Sequence, residues 1–284
     1  MPQSSNGGEK SNVWEPGVRS DGHSLSASRI GPDARHYVSK APRTGRIAAT
    51  FEGGLMLLFD DEGDAQLITV HDPAIPLHPW SIELRDLPPA VEGMNVQSGS
   101  GTIMIGGELL IELGDAQCPP MTIPRLPPDR SSDARQSIER TFRETADRMD
   151  GRDSEMLGTI ERWQDSHRPR VLLELVGRGE GSTPLGDDIL VGILAGQAAS
   201  GVGPSFSQAV SAEEIRARTT LGSWQMITSA SAGHFPEPLC LLAEALANEG
   251  RGAQAEAMRR LLQIGASSGA GMLVGFATGL TTVG

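Results

Sequence analysis

Residues 177–188 carry the strongest candidate for chemistry in this sequence. They read GRGEGSTPLGDD, so three spaced glycines and a Ser-Thr pair precede Pro184 and the twin acids Asp187 and Asp188. Thr183 suits a helix cap, and Pro184 suits the first helical position, where its missing N–H costs nothing. Because the free N–H groups and the dipole of a helix start favour an anion, the segment predicts a phosphate or carboxylate site.

The glycines of this loop would let an anion approach the backbone closely. The spacing is not that of a nucleotide motif, because a Walker A loop needs Gly-Lys followed by Ser or Thr, and the dinucleotide fingerprint needs a third glycine. The loop therefore indicates no nucleotide cofactor. The predicted anion-binding residues are Gly177, Gly179, Gly181, Ser182, Thr183 and Gly186.

Asp187 and Asp188 allow two interpretations. Alone, an acidic pair at a helix start is helix capping and a solubility feature. Beside the glycine loop, however, two carboxylates would repel an anion unless a divalent cation lay between them. The functional interpretation is therefore a Mg²⁺ ion with Asp187 and Asp188 as its ligands.

Two other places supply polar groups near helix boundaries. The turn 265–269 (GASSG) predicts a second helix start, with Ser267, Ser268 and Gly269 as further anion-binding residues if it faces the glycine loop. Arg218, Thr219 and His234 provide a guanidinium, a hydroxyl and an imidazole suited to carboxylate binding or proton transfer. We assign these three residues as the predicted catalytic set, although each is singly a common capping or surface residue.

The composition limits the class of partner. The 284 residues carry a formal net charge of -12, which opposes binding to nucleic acid or to anionic lipid. Cys118 and Cys240 are too few for a disulfide framework, so we expect a reducing, cytoplasmic setting. The first 30 residues lack the apolar core of a secretory signal, and the apolar stretch 261–280 is interrupted by polar residues and glycines. We therefore predict neither a nucleic-acid nor a membrane partner.

The elements that must position these residues change in type along the chain. The first half reads as short strands separated by turns, with Gly106-Gly107 as a two-residue hairpin signal. Prolines at 119–128 then interrupt the pattern. We predict an α+β protein with a disordered tail at 1–35, an antiparallel β-rich domain (sheet or small barrel) at 36–128 and a mainly helical domain at 129–284. The predicted strands are 47–51, 55–59, 66–70, 81–84, 101–105 and 109–113.

The second half shows helical spacing of apolar residues. The run 171–176 is apolar throughout, which fits a buried strand or a helix segment, and we interpret it as a strand. Gly192, Ala195, Gly196 and Ala199 form a small-residue face against which another helix can pack closely. The predicted helices are 133–150, 154–164, 184–200, 212–217, 221–232, 239–248, 253–264 and 270–279.

Taken together, these segments resemble the AllH-like family. The segment 177–192 (GRGEGSTPLGDDILVG) is similar to the family signature Gly-x-Gly-x-x-Thr-Pro-x-Gly-Asp-Asp-x-x-x-Gly. The likeness extends in order and spacing through 218–223, 233–237 (GHFPE) and 265–275, and covers roughly residues 40 to 284. The resemblance implies a subunit of an oxamate carbamoyltransferase-type enzyme, with an FdrA-like protein and another subunit as partners, which moves a carbamoyl group between carbamoyl phosphate and a small amide or amine.

The chain also departs from that family. The family turn reads Gly-His-Ser-Ser-Gly-x-Asp, whereas this chain has Ala266 and Gly271 at the His and Asp positions, so a proton-transfer or metal-binding role there is lost. Two alternatives to a catalytic subunit follow. One is an assembly or regulatory subunit without catalysis, and the other is a stand-alone hydrolase or lyase acting on a small carboxylate.

Overall fold

The structure is a computed structural model that describes residues 24–61, 64–127, 130, 133–134, 136–138, 140–141, 154–203, 205–248 and 250–280. Its N-terminal part contains a curled sheet, and its C-terminal part is helical, so the predicted α+β class is confirmed. Among the described residues, no helix is long and apolar enough to cross a bilayer. The strands are β1 (Ser24–Ser26), β2 (Arg29–Ile30), β3 (Arg43–Phe51), β4 (Gly54–Asp61), β5 (Asp64–His71), β6 (Ser81–Glu83), β7 (Asn95–Gly99), β8 (Thr102–Ile105) and β9 (Leu109–Glu112).

Within the described residues, the strands form a nine-stranded sheet in the order β1-β9-β8-β7-β3-β4-β5-β6-β2. Neighbouring strands are antiparallel except for β1 with β9 and β5 with β6. Since β1 and β2 are separated by only two residues but lie at the two ends of this order, the sheet curls until its ends approach each other. Its inner face packs a core that includes Leu57, Phe59, Ile68, Val70 and Ile103.

All six predicted strands are present, and the sequence interpretation missed β1, β2 and β7. The β7–β8 hairpin turns at Ser100 and Gly101, which both have positive φ, as a tight two-residue turn requires. The Gly106-Gly107 hairpin is real but longer than predicted: Ile105 pairs with Leu109, so three residues form its loop. Residues 24–35, which we assigned to the tail, contribute β1, β2 and the start of α1 (Pro32–Val38).

The helical part has its own hydrophobic core. Its helices are α2 (Ser154–Ser166), α3 (Leu185–Ser200), α4 (Ser205–Ala209), α5 (Ala212–Arg216), α6 (Leu221–Ala232), α7 (Glu237–Asn248), α8 (Arg251–Leu262) and α9 (Ser268–Gly279). The predicted strand at 171–176 is wrong, because Pro169–Glu174 forms a 3₁₀ helix that packs Leu172 and Leu173 into this core. The predicted helix 133–150 lies mostly outside the described residues. The predicted domain boundary at residue 128 also lies outside them, so the division into two domains stays a prediction.

Candidate functional site

Two parallel helices, α3 and α9, form the base of the candidate site. Glycines of α3 make the contact with α9. An added Cβ at Gly192 would lie 2.2 Å from the Met272 carbonyl oxygen, and an added Cβ at Gly196 would lie 2.2 Å from the Phe276 carbonyl oxygen. Residue numbers thus rise in the same direction along both helices. The small-residue face predicted on α3 is therefore used as expected. Because the two helices run in the same direction, their N-terminal ends, each with a partial positive charge, lie side by side.

The loops that precede these two helices meet. The Thr183 hydroxyl lies 3.1 Å from the Ser268 hydroxyl, so the glycine loop faces the turn at Ser267, Ser268 and Gly269. The predicted cap is wrong in detail, because α3 begins at Leu185, Pro184 is the capping residue and no side chain caps the helix. Thr183 instead joins the two loops.

The glycine loop has a backbone that few other residues would tolerate. Gly177, Gly179 and Gly181 all have positive φ. A Cβ at Gly177 would lie 2.0 Å from the Arg218 carbonyl oxygen, and a Cβ at Gly179 would lie 2.8 Å from the Leu185 nitrogen. Close packing of the loop against its own neighbours thus requires glycine at 177 and 179, whereas at Gly181 only the positive φ favours it.

Part of the donor capacity at the start of α3 is used within the chain. The Gly186 N–H donates to the Arg178 carbonyl oxygen at 2.8 Å, and the Asp187 N–H donates to the Pro184 carbonyl oxygen at 2.9 Å. The Gly177 N–H donates to Asp187 Oδ1 at 2.7 Å. A ligand at this helix start would therefore rely mainly on the remaining N–H groups and on the hydroxyls nearby.

Asp187 is buried, with 2% of its surface exposed, and both of its carboxylate oxygens accept hydrogen bonds. Oδ1 accepts from the Gly177 N–H, and Oδ2 accepts from the Thr219 hydroxyl. Burial raises the pKa of Asp187, while Thr219, Gly177 and the nearby Ser223 hydroxyl lower it. Asp187 thus connects the glycine loop to the segment that precedes α6.

Asp188 is also buried, with 4% of its surface exposed, but its surroundings differ. Its Oδ2 atom has no hydrogen-bond partner among the described residues. Burial raises the pKa of Asp188 to about 7, the Ser268 hydroxyl lowers it and the charge of Asp187 raises it. Since an isolated buried carboxylate is costly, Asp188 must either hold a proton or neutralise a positive charge.

The segment 218–220 lies against the glycine loop. The Thr220 hydroxyl donates to the Ser182 carbonyl oxygen at 2.8 Å and also accepts from the Ser223 N–H, which caps α6. The Arg218 side chain is exposed beside the loop, and the exposed Arg178 forms an ion pair with Glu155. Thr220 and Ser223 lie outside the predicted site residues, although a Thr just before a helix start is itself a capping signal.

His234 lies elsewhere. It follows the C-terminal end of α6, so the 12 residues of that helix place it about 18 Å from Thr220. Its Nδ1 atom lies 2.7 Å from Asp33 Oδ1. The Ser229 hydroxyl donates to the same carboxylate at 2.5 Å and accepts from Trp80 Nε1 at 2.9 Å. The structure therefore brings Arg218 and Thr219 to the glycine loop but does not bring His234 there.

The described residues contain no group of three or more His, Cys, Asp or Glu side chains that could hold a metal ion. Oxygen atoms of another kind are nearby: the Ser268 hydroxyl interacts with Asp188 and lies 3.1 Å from the Thr183 hydroxyl. A small hard cation such as Mg²⁺ binds proteins through one or two carboxylates and completes its shell with phosphate and water. The chemistry of these oxygen donors suits such a cation.

Comparison with known proteins gives one functional indication. Residues 175–280 match the family model described as "Oxamate carbamoyltransferase subunit AllH". This range contains the glycine loop, both aspartates, the segment 218–220 and the turn before α9. Searches of curated proteins and of solved structures gave no match. The residues that build the candidate site thus belong to the matched range, and this part of the chain is similar to the AllH family.

Proposed function

We propose that this chain is a subunit of a carbamoyltransferase-type enzyme and that the adjoining starts of α3 and α9 bind carbamoyl phosphate, or a similar small anion, together with Mg²⁺. The family name suggests a subunit of oxamate carbamoyltransferase. The observation that carries the proposal is the parallel pairing of the two helices, which brings the loops 177–183 and 265–269 into contact. Two positive helix ends beside the buried carboxylates of Asp187 and Asp188 suit an anion and a cation bound together.

The reaction would transfer the carbamoyl group to or from a small amide or amine. In the forward direction, the acceptor nitrogen attacks the carbamoyl carbon, the C–O bond to phosphate breaks, the nitrogen loses a proton and inorganic phosphate leaves. Such a step needs stabilisation of the developing oxyanion and of the departing phosphate. Helix N–H groups and the exposed Arg178 and Arg218 are suitable donors, and Mg²⁺ when bound would offset the phosphate charge.

The proposal includes partner proteins. An AllH subunit implies other carbamoyltransferase subunits as partners. We propose that one of them is FdrA-like and that it completes the site around the acceptor, with Arg218 binding an acceptor carboxylate. His234 would then act only if a partner or the acceptor reached the Asp33–His234 pair.

Calorimetric titration of the purified chain and of its complex with carbamoyl phosphate, with and without MgCl₂, tests this function. Thr183→Val removes a hydroxyl between the two loops, and Thr50→Val removes an exposed hydroxyl on β3 as a matched control. We expect Thr183→Val to weaken anion binding about tenfold, the order of one hydrogen bond to a charged group, and Thr50→Val to leave it unchanged. Equal affinities of both variants and wild type would contradict the proposed site.

A non-catalytic assembly subunit is the second candidate function, and one contact favours it. Gly271 lies directly against Asp188, because an added Cβ there would come within 3.2 Å of Asp188 Cβ. The family turn to which this chain is similar has an acidic residue at that position, so this chain offers one carboxylate fewer beside Asp188. If the complex assembles with this chain but neither it nor the complex binds carbamoyl phosphate, the second function replaces the first.

A further inference from the structure

We propose that the two adjacent aspartates have different roles: Asp188 binds the divalent cation together with the hydroxyls of Thr183 and Ser268, whereas Asp187 is a positioning residue that holds the anion-binding loop. This inference deepens the function proposed above and rests on it. The sequence presents the two acids as an equivalent pair. The structure gives them unlike surroundings, and the difference lies in which oxygen atoms already have donors.

Asp187 has little capacity left for a cation. Its two oxygens accept from the Gly177 N–H and the Thr219 hydroxyl, which belong to two different chain segments. A carboxylate that accepts several protein donors is stabilised as an anion and fixes the groups that donate to it. Asp187 therefore sets the position of the glycine loop relative to the segment 218–220.

Asp188 has the opposite character. The next residue along a helix projects about 100° around its axis, so the side chains of Asp187 and Asp188 face different neighbours. Asp188 faces α9, since Gly271 packs against its Cβ and Ser268 interacts with its carboxylate. Its Oδ2 atom is buried without a partner among the described residues. A carboxylate left in this state is a ready ligand for a positive ion.

Two hydroxyl side chains lie between Asp188 and the solvent. Ser268 interacts with Asp188 and lies 3.1 Å from the exposed Thr183 hydroxyl, so three oxygen-bearing side chains form a row from the interior to the surface. Hard divalent cations prefer such oxygen ligands, and Mg²⁺ commonly keeps sites for water and phosphate. An anion entering at Thr183 would then complete the shell of the cation.

This arrangement requires that the anion and the cation bind cooperatively. Without the cation, the negative charge of Asp188 repels an anion at the helix starts, and without the anion the cation has few ligands. By linkage, each ligand must raise the affinity of the other by the same factor. Loss of Asp188 should therefore abolish the dependence of anion binding on the cation, whereas loss of Asp187 should weaken anion binding and leave that dependence in place.

The experiment uses the full chain and measures Mn²⁺ binding by electron paramagnetic resonance, with inorganic phosphate titrated by calorimetry at several Mn²⁺ concentrations. We expect Asp188→Asn to lose Mn²⁺ binding by at least about tenfold and to make phosphate binding independent of Mn²⁺. We expect Asp187→Asn and Thr219→Val to keep the Mn²⁺ affinity within about threefold but to weaken phosphate binding about tenfold. Thr219→Ser, which retains the hydroxyl, should restore phosphate binding, and the exposed Asp165→Asn is the matched control.

The outcomes separate this inference from the proposed function. Equal loss of Mn²⁺ by both aspartate variants, or loss by Asp187→Asn alone, overturns the division of roles while leaving phosphate binding by the wild type intact. A wild type that binds phosphate but no Mn²⁺ also overturns the inference, and Asp188 is then neutralised by a proton. If the wild type binds Mn²⁺ but neither phosphate nor carbamoyl phosphate, the proposed function fails. Should Asp187→Asn not fold, Thr219→Val removes only one contact of the same carboxylate and decides the question.

Discussion

Burial of the Asp188 carboxyl, whose Oδ2 atom has no hydrogen-bond partner among the described residues, makes the stability of this protein depend on pH. Burial raises the pKa of Asp188 to about 7, so the folded chain keeps a proton that the unfolded chain releases above about pH 4. Between about pH 4 and pH 7 the unfolded state thus binds fewer protons, and the contribution of Asp188 to stability falls as pH rises. A bound cation would offset this loss.

Asp188→Asn should remove that dependence. At pH 8 in the presence of a chelator, we expect the variant to be more stable than the wild type by about 2–4 kcal/mol, and at pH 4 we expect little difference. Urea denaturation between pH 4 and pH 8 measures both values. Asp165→Asn, on the exposed side of α2, should follow the wild type throughout. If the free energy of unfolding changed with pH equally in Asp188→Asn and in the wild type, the Asp188 carboxyl would have an ordinary pKa in the folded chain.

His78 should produce the opposite dependence of stability on pH. Burial and the neighbouring His71 lower the pKa of His78 to about 3, so below about pH 6.5 the unfolded chain gains a proton that the folded chain does not take. Stability from this residue is therefore present at pH 7 and is lost as pH falls. We expect His78→Gln to reduce the loss in unfolding free energy between pH 7 and pH 5 by about 2 kcal/mol, measured by urea titration, and the exposed His36→Gln to change nothing.

At the scale of elements, the parallel contact of α3 and α9 depends on glycine. An added Cβ at Gly275 would lie 2.0 Å from the Ile189 carbonyl oxygen, which cannot move without separating the helices. We expect Gly275→Ala to destabilise the fold by about 1–3 kcal/mol or more and to weaken phosphate binding, since the two helix starts would separate. Gly158→Ala in α2 meets only the Arg162 side chain at 3.6 Å and should instead be neutral or stabilising. Thermal unfolding and calorimetry of both variants compare the two cases.

The sequence predicted these elements well where one local pattern determined them. The helix at Leu221–Ala232 was predicted to the residue, because Thr220 caps its start and Gly233 ends it in a left-handed conformation. The strand predicted at 171–176 failed because a short apolar run fits either state, and here packing into the helical core determined the outcome. The role of Thr183 failed for a different reason: its partner Ser268 is 85 residues away, and no local pattern contains that contact.

The same limit applies to the candidate site. The glycine loop, both aspartates and the turn before α9 were selected from their residue types, and the structure brings them together. The distinction between Asp187 and Asp188 was not visible, because it depends on Thr219 and Ser268, which come from distant segments. His234 was grouped with Arg218 because both supply polar groups near helix boundaries, but the length of α6 separates them.

At the scale of the whole molecule, α6 joins the sheet to the helical core. The Gln225 side chain, 1% exposed, accepts from the Leu67 N–H at 2.9 Å and donates to the Leu67 carbonyl oxygen at 3.1 Å. It thus pairs with β5 much as a neighbouring strand would. Further along the same helix, Ser229 bonds to Asp33 of α1, and beyond its end His234 pairs with the same carboxylate.

Gln225→Leu should weaken the contact between α6 and β5 more than the small change in side-chain volume suggests. The change leaves the N–H and the carbonyl of Leu67 without their buried partner, which costs about 1–3 kcal/mol for each unsatisfied group. We expect a lower midpoint in urea and faster amide hydrogen exchange at Leu67 on β5, with little change in the interior of α9. The exposed Gln263→Leu is the matched control. Unaltered exchange at Leu67 would mean that the contact does not protect the strand.

The placement of β1 and β2 has a consequence for how molecules of this protein behave towards one another. One short segment, 24–30, supplies the strand that borders β9 and the strand that borders β6. Until it docks, both borders of the sheet expose unpaired backbone groups that can recruit strands from other molecules. A single local detachment would open both borders at once, so weakening this segment should increase self-association at high concentration before it measurably lowers the cooperativity of unfolding.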